Sequence, residues 1–301
     1  MLNQENTDLM FNTEMRNLYS NERQLDNVSP PLYGDFITKR AGDYQGVFRT
    51  DTDDCLGIFK ENSYTLVQND HFFSGIEDQL TDYFDPIVMD TMEVKDSASH
   101  QGAVSIREYH FPSLAKTIET SRHKTSLNFR VIGWNCFDGS SRCKIIIGNI
   151  DTFCSNGLIS GDYDTSSQKR TSGFDLKSFI GNVSKGLVRF NSDIEKYQRY
   201  AETTILTPYV NDFFNNLKGI SERNAERLQD QYKEEISVRG NNLWAVVSTL
   251  TNYASHFDGR FPTRNTGNNH DGVTSFNRQA QVGRWLNSET FKTLERHSVS
   301  V

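Results

Sequence analysis

Near residue 173 the spacing of apolar residues changes from that of strands to that of helices, and this change limits the fold more than any other feature. Upstream, Val47-Phe48-Arg49 and Cys55-Leu56-Gly57-Ile58-Phe59 flank the turn-rich Asp51-Thr52-Asp53-Asp54 and read as a hairpin. Ala103–Phe111 and Ser126–Cys136 also read as extended, the second alternating Leu127, Phe129 and Val131 with Asn128 and Arg130. Asp138-Gly139-Ser140-Ser141 then gives a tight turn into Arg142-Cys143-Lys144-Ile145-Ile146-Ile147. Downstream, Leu176, Phe179, Ile180, Val183, Leu187, Phe190, Ile194 and Tyr197 recur at helical spacing, which predicts one long helix from Phe174 to Pro208. Further helices are expected over Val210–Leu217, Ser221–Ile236, Asn242–His256 and Val273–Glu295.

Within the extended part, Phe72, Phe73, Ile76 and Leu80 share one helical face, and Asn69 precedes them as a candidate N-cap. The expected class is therefore α+β: an antiparallel β-rich domain with one packed helix, followed by a mainly helical C-terminal half. The expected division is a flexible acidic arm over residues 1–44, a β-rich domain over 45–172 and a helical region over 173–301. A short helix over Asp8–Tyr19 is the one element expected in the arm. Residues 85–101 and 257–272 are expected as loops, the second rich in Gly, Asn and Asp.

No apolar run approaches 18 residues and the N-terminus lacks the pattern of a secretory signal, so no membrane contact is expected and the protein should act in the cytoplasm. Cys55, Cys136, Cys143 and Cys154 form no C-x-x-C pair and are expected as reduced core thiols. Residues 1–115 carry 8 Lys/Arg against 20 Asp/Glu, residues 116–200 carry 13 against 8, and residues 201–301 carry 11 against 11. The middle of the chain is its only basic part, and an anionic partner should meet it there.

Most catalytic constellations are missing. There is no nucleotide-binding glycine loop and no G-x-S-x-G elbow. Asp51–Asp54 fails as a calcium loop, because Cys55 stands fifth, Gly57 seventh and Asn62 twelfth from Asp51. Cysteine spacings of seven and eleven match no zinc motif, so neither cofactor nor metal is expected. What remains is a set of cations interleaved with aromatics: Arg122, Lys124, Arg130, Arg142, Lys144, Lys169 and Arg170 with Trp134 and Phe137. Such a set can hold single-stranded DNA, cations tracking phosphates while rings stack on bases. Arg130 and Trp134 share one strand face, where Arg142 and Lys144 could join them across the hairpin. The competing reading puts Trp134 in the core and leaves the cations as an ordinary solvated face. Lys169-Arg170 and, on the long helix, Lys177, Lys185, Arg189, Lys196 and Arg199 could extend the basic surface, although surface helices routinely carry such residues.

Leu56–Phe73 (LGIFKENSYTLVQNDHFF) resembles a family of phage- and plasmid-borne proteins that share a domain of unknown function, on Gly57, Tyr64, Gln68 and Asn69. The resemblance continues through Asp138-Gly139-Ser140-Ser141, Cys154-Ser155-Asn156-Gly157-Leu158, Leu243-Trp244-Ala245 and Asn252-Tyr253-Ala254-Ser255-His256. Asn156-Gly157 departs from the Asn-Thr common in that family, and residues 85–125 match poorly. The resemblance implies a bacteriophage or plasmid origin and action in a bacterial host cytoplasm. The order of elements also resembles, loosely, the single-strand annealing proteins of phage recombination. The expected function is accordingly a non-enzymatic DNA-binding or annealing protein, acting as an oligomer. The alternative is a factor that binds a host or phage protein through its acidic first third.

Overall fold

The computed structural model describes residues 9–18, 44–151, 156–160, 167–171, 173–181, 183–256 and 271–300. The class is α+β, with antiparallel sheets in the N-terminal and middle parts and helices after them. Contacts divide the chain into two units: Met1–Tyr109, Val131–Ile146 and Asp164–Ser184 form the first, and His110–Arg130, Ile147–Tyr163 and Lys185–Val301 the second. Among the described residues no helix is long and apolar enough to cross a membrane.

The first unit begins with a three-stranded antiparallel sheet of β1 (Thr13–Asn17), β2 (Tyr44–Arg49) and β3 (Cys55–Lys60). β2 and β3 form the expected hairpin. β1 replaces the helix expected over Asp8–Tyr19, and Leu9, Phe11, Thr13 and Leu18 are buried. Residues 9–18 of the expected arm are therefore part of the fold; the rest of residues 1–43 lies outside the described residues.

Next comes α1 (Asn69–Tyr83), which buries Phe72, Phe73, Ile76 and Leu80 as its spacing predicts, each worth roughly 1.5–3 kcal/mol. Where the sequence suggested only a loop there follow a short helix, α2 (Pro86–Asp90), and a strand, β4 (Glu93–Ser99). β4 escapes sequence reading because its residues, EVKDSAS, have little apolar content to alternate.

The main sheet continues through β5 (Val104–Glu119), β6 (Lys124–Cys136), β7 (Cys143–Asp151) and β8 (Asn156–Ser160), in the order β4-β5-β6-β7-β8, and β9 (Ser167–Gln168) pairs with β7. β5 runs on through Pro112 to Glu119, beyond the end expected at Phe111. Asp138–Ser141 makes the expected turn: Gly139 takes φ 70°, and Asp138 Oδ1 accepts a bond from the Ser140 amide at 2.8 Å. The first unit holds Val104–Tyr109, Val131–Cys136 and Cys143–Ile146 of these strands. There α1 lies on β6 so closely that a methyl group on Gly133 would meet Ile76 Cδ1 at 2.8 Å.

The expected long helix from Phe174 is two helices, α3 (Leu176–Ile180) and α4 (Val183–Glu202), broken at Gly181. The two-residue strand β10 (Thr203–Thr204) follows α4. Then come α5 (Thr207–Asn215), α6 (Glu222–Arg239), α7 (Leu243–His256), α8 (Asp271–Leu286), α9 (Glu289–Arg296) and β11 (Val299–Ser300), which pairs with β10. The expected final helix is thus also two, because the Ser288 hydroxyl accepts from the Phe291 amide at 3.2 Å and starts α9 afresh. In the second unit α7 is apolar nearly all round and forms the centre of a core with Ile118 and Leu127 of β5 and β6, Phe213, Phe214, Tyr232, Trp285 and Phe291. Residues 257–270, most of the second expected loop, lie outside the described residues.

Candidate nucleic-acid interface

The nine residues proposed to bind nucleic acid separate into a buried set and an exposed set. Trp134 is 1% exposed, and its indole N–H donates to Ser141 Oγ at 2.9 Å. Phe137 is fully buried among Phe11, Val47, Leu56 and Ala103. Neither ring can stack on a base, which corrects the expectation of aromatic platforms. The physical reason is that residues 129–137 are buried without interruption, so this stretch of β6 has no solvated face for its alternation to populate.

Three cations are buried with the rings, each held by a specific partner. Lys144 Nζ sits 4.1 Å from the centre of the Trp134 ring. In the second unit Arg130 donates from Nη2 to Gln279 Oε1. Arg170 donates from Nη1 to Tyr64 Oη at 2.9 Å and to the Val67 carbonyl at 3.4 Å, and lies 5.5 Å from the Phe137 ring centre. Its Nε and Nη2 are buried without a hydrogen-bond partner. Tyr64 Oη donates in turn to the Cys136 carbonyl at 3.0 Å, and burial pushes this phenol up to about 12 against a smaller opposing pull from Arg170. Burial also raises the thiols of Cys136 and Cys143, so neither is a ready nucleophile. These contacts make the three cations parts of the core, not groups open to a phosphate.

Arg122, Lys124, Arg142 and Lys169 are exposed, and all four sit at strand ends. Arg122 and Lys124 belong to the β5–β6 turn of the second unit. Thr120 closes that turn: its amide and hydroxyl donate to the His123 carbonyl at 2.8 and 3.0 Å, while its Oγ1 accepts from the His123 amide at 2.9 Å. Lys124 pairs with Glu119 at 2.8 Å across two well-exposed side chains, a contact worth little in water. Gln198 of α4 grips the Glu119 backbone in both directions, at 3.0 and 3.1 Å, and so brings exposed Arg199 to the turn. The turn and the end of α4 thus make one solvent-facing corner, in which Arg122, Lys124 and Arg199 outnumber the carboxylates of Glu119 and Glu202. In the first unit Cys143 pairs with Gln168, which places Arg142 and Lys169 side by side just beyond the β7–β9 ladder.

The sequence also misplaced the role of Gln68-Asn69. Asn69 is the first residue of α1 and fully buried, and the N-cap Gln68 makes no capping bond. Gln68 instead accepts from the amide and hydroxyl of Thr13, both at 2.9 Å, and donates to the Thr13 carbonyl at 2.6 Å. Asn69 donates to the Leu9 carbonyl and Ser105 Oγ and accepts from Asn135 at 2.7 Å. Two polar residues before an apolar helical run read as a cap, and only the pairing of distant β1 explains them. Among the described residues no three His, Cys, Asp or Glu side chains gather as metal ligands, and Cys154 lies outside these residues.

A family model described as a domain of unknown function (DUF932) matches residues 59–281. No curated protein and no solved structure matches the chain.

Proposed function

We propose that this chain, which belongs to the DUF932 family, is a non-enzymatic nucleic-acid-binding protein that holds single-stranded DNA by its phosphates alone. The reading is carried by one observation: of the nine candidate residues the aromatics are buried, whereas four cations remain exposed at strand ends. Cations without stacking rings give electrostatic, sequence-independent binding, in which affinity comes from released counterions. The cationic corner of Arg122, Lys124 and Arg199 is the principal contact, and Arg142 with Lys169 is a second, separate one. The resemblance of the sequence to phage- and plasmid-borne proteins supports a role in the DNA metabolism of such an element, within a bacterial cytoplasm.

Anisotropy of a labelled single-stranded oligonucleotide, measured against salt, tests the proposal. Affinity should fall steeply and linearly on a log–log plot, equally for oligonucleotides of different sequence. The double substitution Arg122→Glu with Lys124→Glu should flatten that slope by about 1.4, since each single-strand phosphate contributes about 0.7. No binding at low salt, or an unchanged slope in the double variant, overturns the assignment.

A further inference from the structure

We propose that the outer edge of β4, together with α2 and the last turn of α1, docks an extended cationic segment of a partner protein, which adds to the sheet as a further strand. The site belongs to the first unit and lies apart in sequence from the basic stretch, so the proposal does not rest on nucleic-acid binding. β4 stands at the end of the strand order and, among the described residues, pairs only with β5. The edge of such a strand presents amide and carbonyl groups to whatever approaches it. Glu93, Val94 and Lys95 are all exposed, so successive residues on both faces of its first half are open to solvent.

Exposed apolar side chains lie on β4 and on the two helices that precede it in the chain. Ile87 is 77% exposed, Val94 47% and Tyr83 46%, on α2, β4 and α1 respectively. A single exposed apolar side chain is ordinary, but here three successive elements each present one. α2 is held in place: Asp85 Oδ1 accepts from the Val88 amide at 3.0 Å and Pro86 opens the helix. β4 is also fixed, because Arg107 of β5 binds both Asp96, at 2.8 Å, and Glu77 of α1, at 3.1 Å. A firm platform of this kind lowers the ordering cost of binding.

Charge selects the occupant. Residues 77–96 hold seven Asp/Glu and a single Lys. Glu77 and Asp96 share the single charge of Arg107, whereas exposed Asp78, Asp82, Asp90 and Glu93 make no ion pair among the described residues. Two copies of this edge brought together would set acid against acid, so self-pairing is opposed. A strand that alternates Lys or Arg with an aliphatic residue satisfies both features at once, its cations meeting the carboxylates and its apolar side chains meeting Ile87 and Val94.

The test uses the full chain and a short, terminally blocked peptide of alternating Lys and Val, with alternating Glu and Val as its counterpart. The Lys-Val peptide should bind saturably and slow hydrogen exchange of the β4 amides, and the Glu-Val peptide should do neither. Ile87→Ser with Val94→Ser, both at exposed sites and checked for folding by circular dichroism, should weaken the Lys-Val peptide at least tenfold. Asp82→Asn, Asp90→Asn and Glu93→Gln together should reduce the salt dependence of binding. Equal binding of the two peptides, protection only outside β4, or unchanged affinity in both variants overturns the proposal. So does a dimer in sedimentation that Ile87→Ser with Val94→Ser dissolves, which would give the edge to a second copy of the chain.

Discussion

A methyl group on Gly57 would lie 2.5 Å from the Phe137 carbonyl and 2.7 Å from Asp138 Cα, both backbone atoms that cannot swing aside. Gly57 is the place where β3 passes under the β6–β7 turn, and its lack of a side chain sets that spacing. Gly57→Ala should therefore lower stability by about 1–3 kcal/mol, the usual cost of forcing a packed backbone apart. Gly173, beside which a methyl group would meet nothing within 4 Å, is the control, and Gly173→Ala should leave the unfolding midpoint within error. Denaturant unfolding of the two variants decides the matter: equal midpoints would mean that the close approach at Gly57 carries no structural weight. The sequence pointed to Gly57 as a feature of the family resemblance but gave no reason for it. The reason is a contact with residues 80 positions away, which no local pattern contains.

At the scale of elements, β1 shows how a strand can depend on a partner remote in sequence. Its five residues pair with β2, and it is tied to α1 by the three Gln68–Thr13 bonds and the bond from Asn69 to Leu9. Gln68→Ala should remove the first set, each bond worth roughly 1 kcal/mol net, and raise the opening rate of β1 far more than that of α1. Native-state hydrogen exchange would show it as lost protection at Glu14 and Arg16, whose amides face β2, with the Phe73 and Ile76 amides unchanged. Loss of protection across both elements would mean that they open as one body and that Gln68 is not a local tie. The elements legible in the sequence were those whose own period reports burial: α1, the β2–β3 hairpin, the Asp138–Ser141 turn and helices α5 to α7. β1 and β4 were missed because one is too short for periodicity and the other too polar. The two expected long helices were over-read, since apolar spacing passes unaltered through the breaks at Gly181 and Ser288. Burial of Trp134 was one of two readings the sequence left open, because strand alternation states which residues share a face and not whether that face is covered.

For the molecule as a whole the buried tyrosines set a limit on the alkaline side. Burial raises Tyr64 to about 12, and burial is also the first cause that raises Tyr109, Tyr200 and Tyr232, so the phenols of both units resist ionisation while the chain is folded. In the unfolded chain each returns to an ordinary value of about 10. Below that pH both states keep their protons and the stability contribution is complete. As pH rises above about 10 the unfolded chain releases protons that the folded chain retains, so stability must fall, and for Tyr64 the loss continues to about 12. Denaturant midpoints should therefore hold level through neutral and mildly alkaline pH and then decline, with tyrosinate absorbance rising together with unfolding and not before it. Tyr64→Phe separates the contributions: it keeps the ring stacked on Phe59, 3.8 Å between centres, and removes only the titrating hydroxyl. The variant should be less stable at neutral pH, because Arg170 and the Cys136 carbonyl each lose a partner, yet decline less steeply above pH about 10. A variant whose alkaline decline matched that of the parent chain would show that Tyr64 ionises as readily folded as unfolded, and that burial does not hold the phenol neutral.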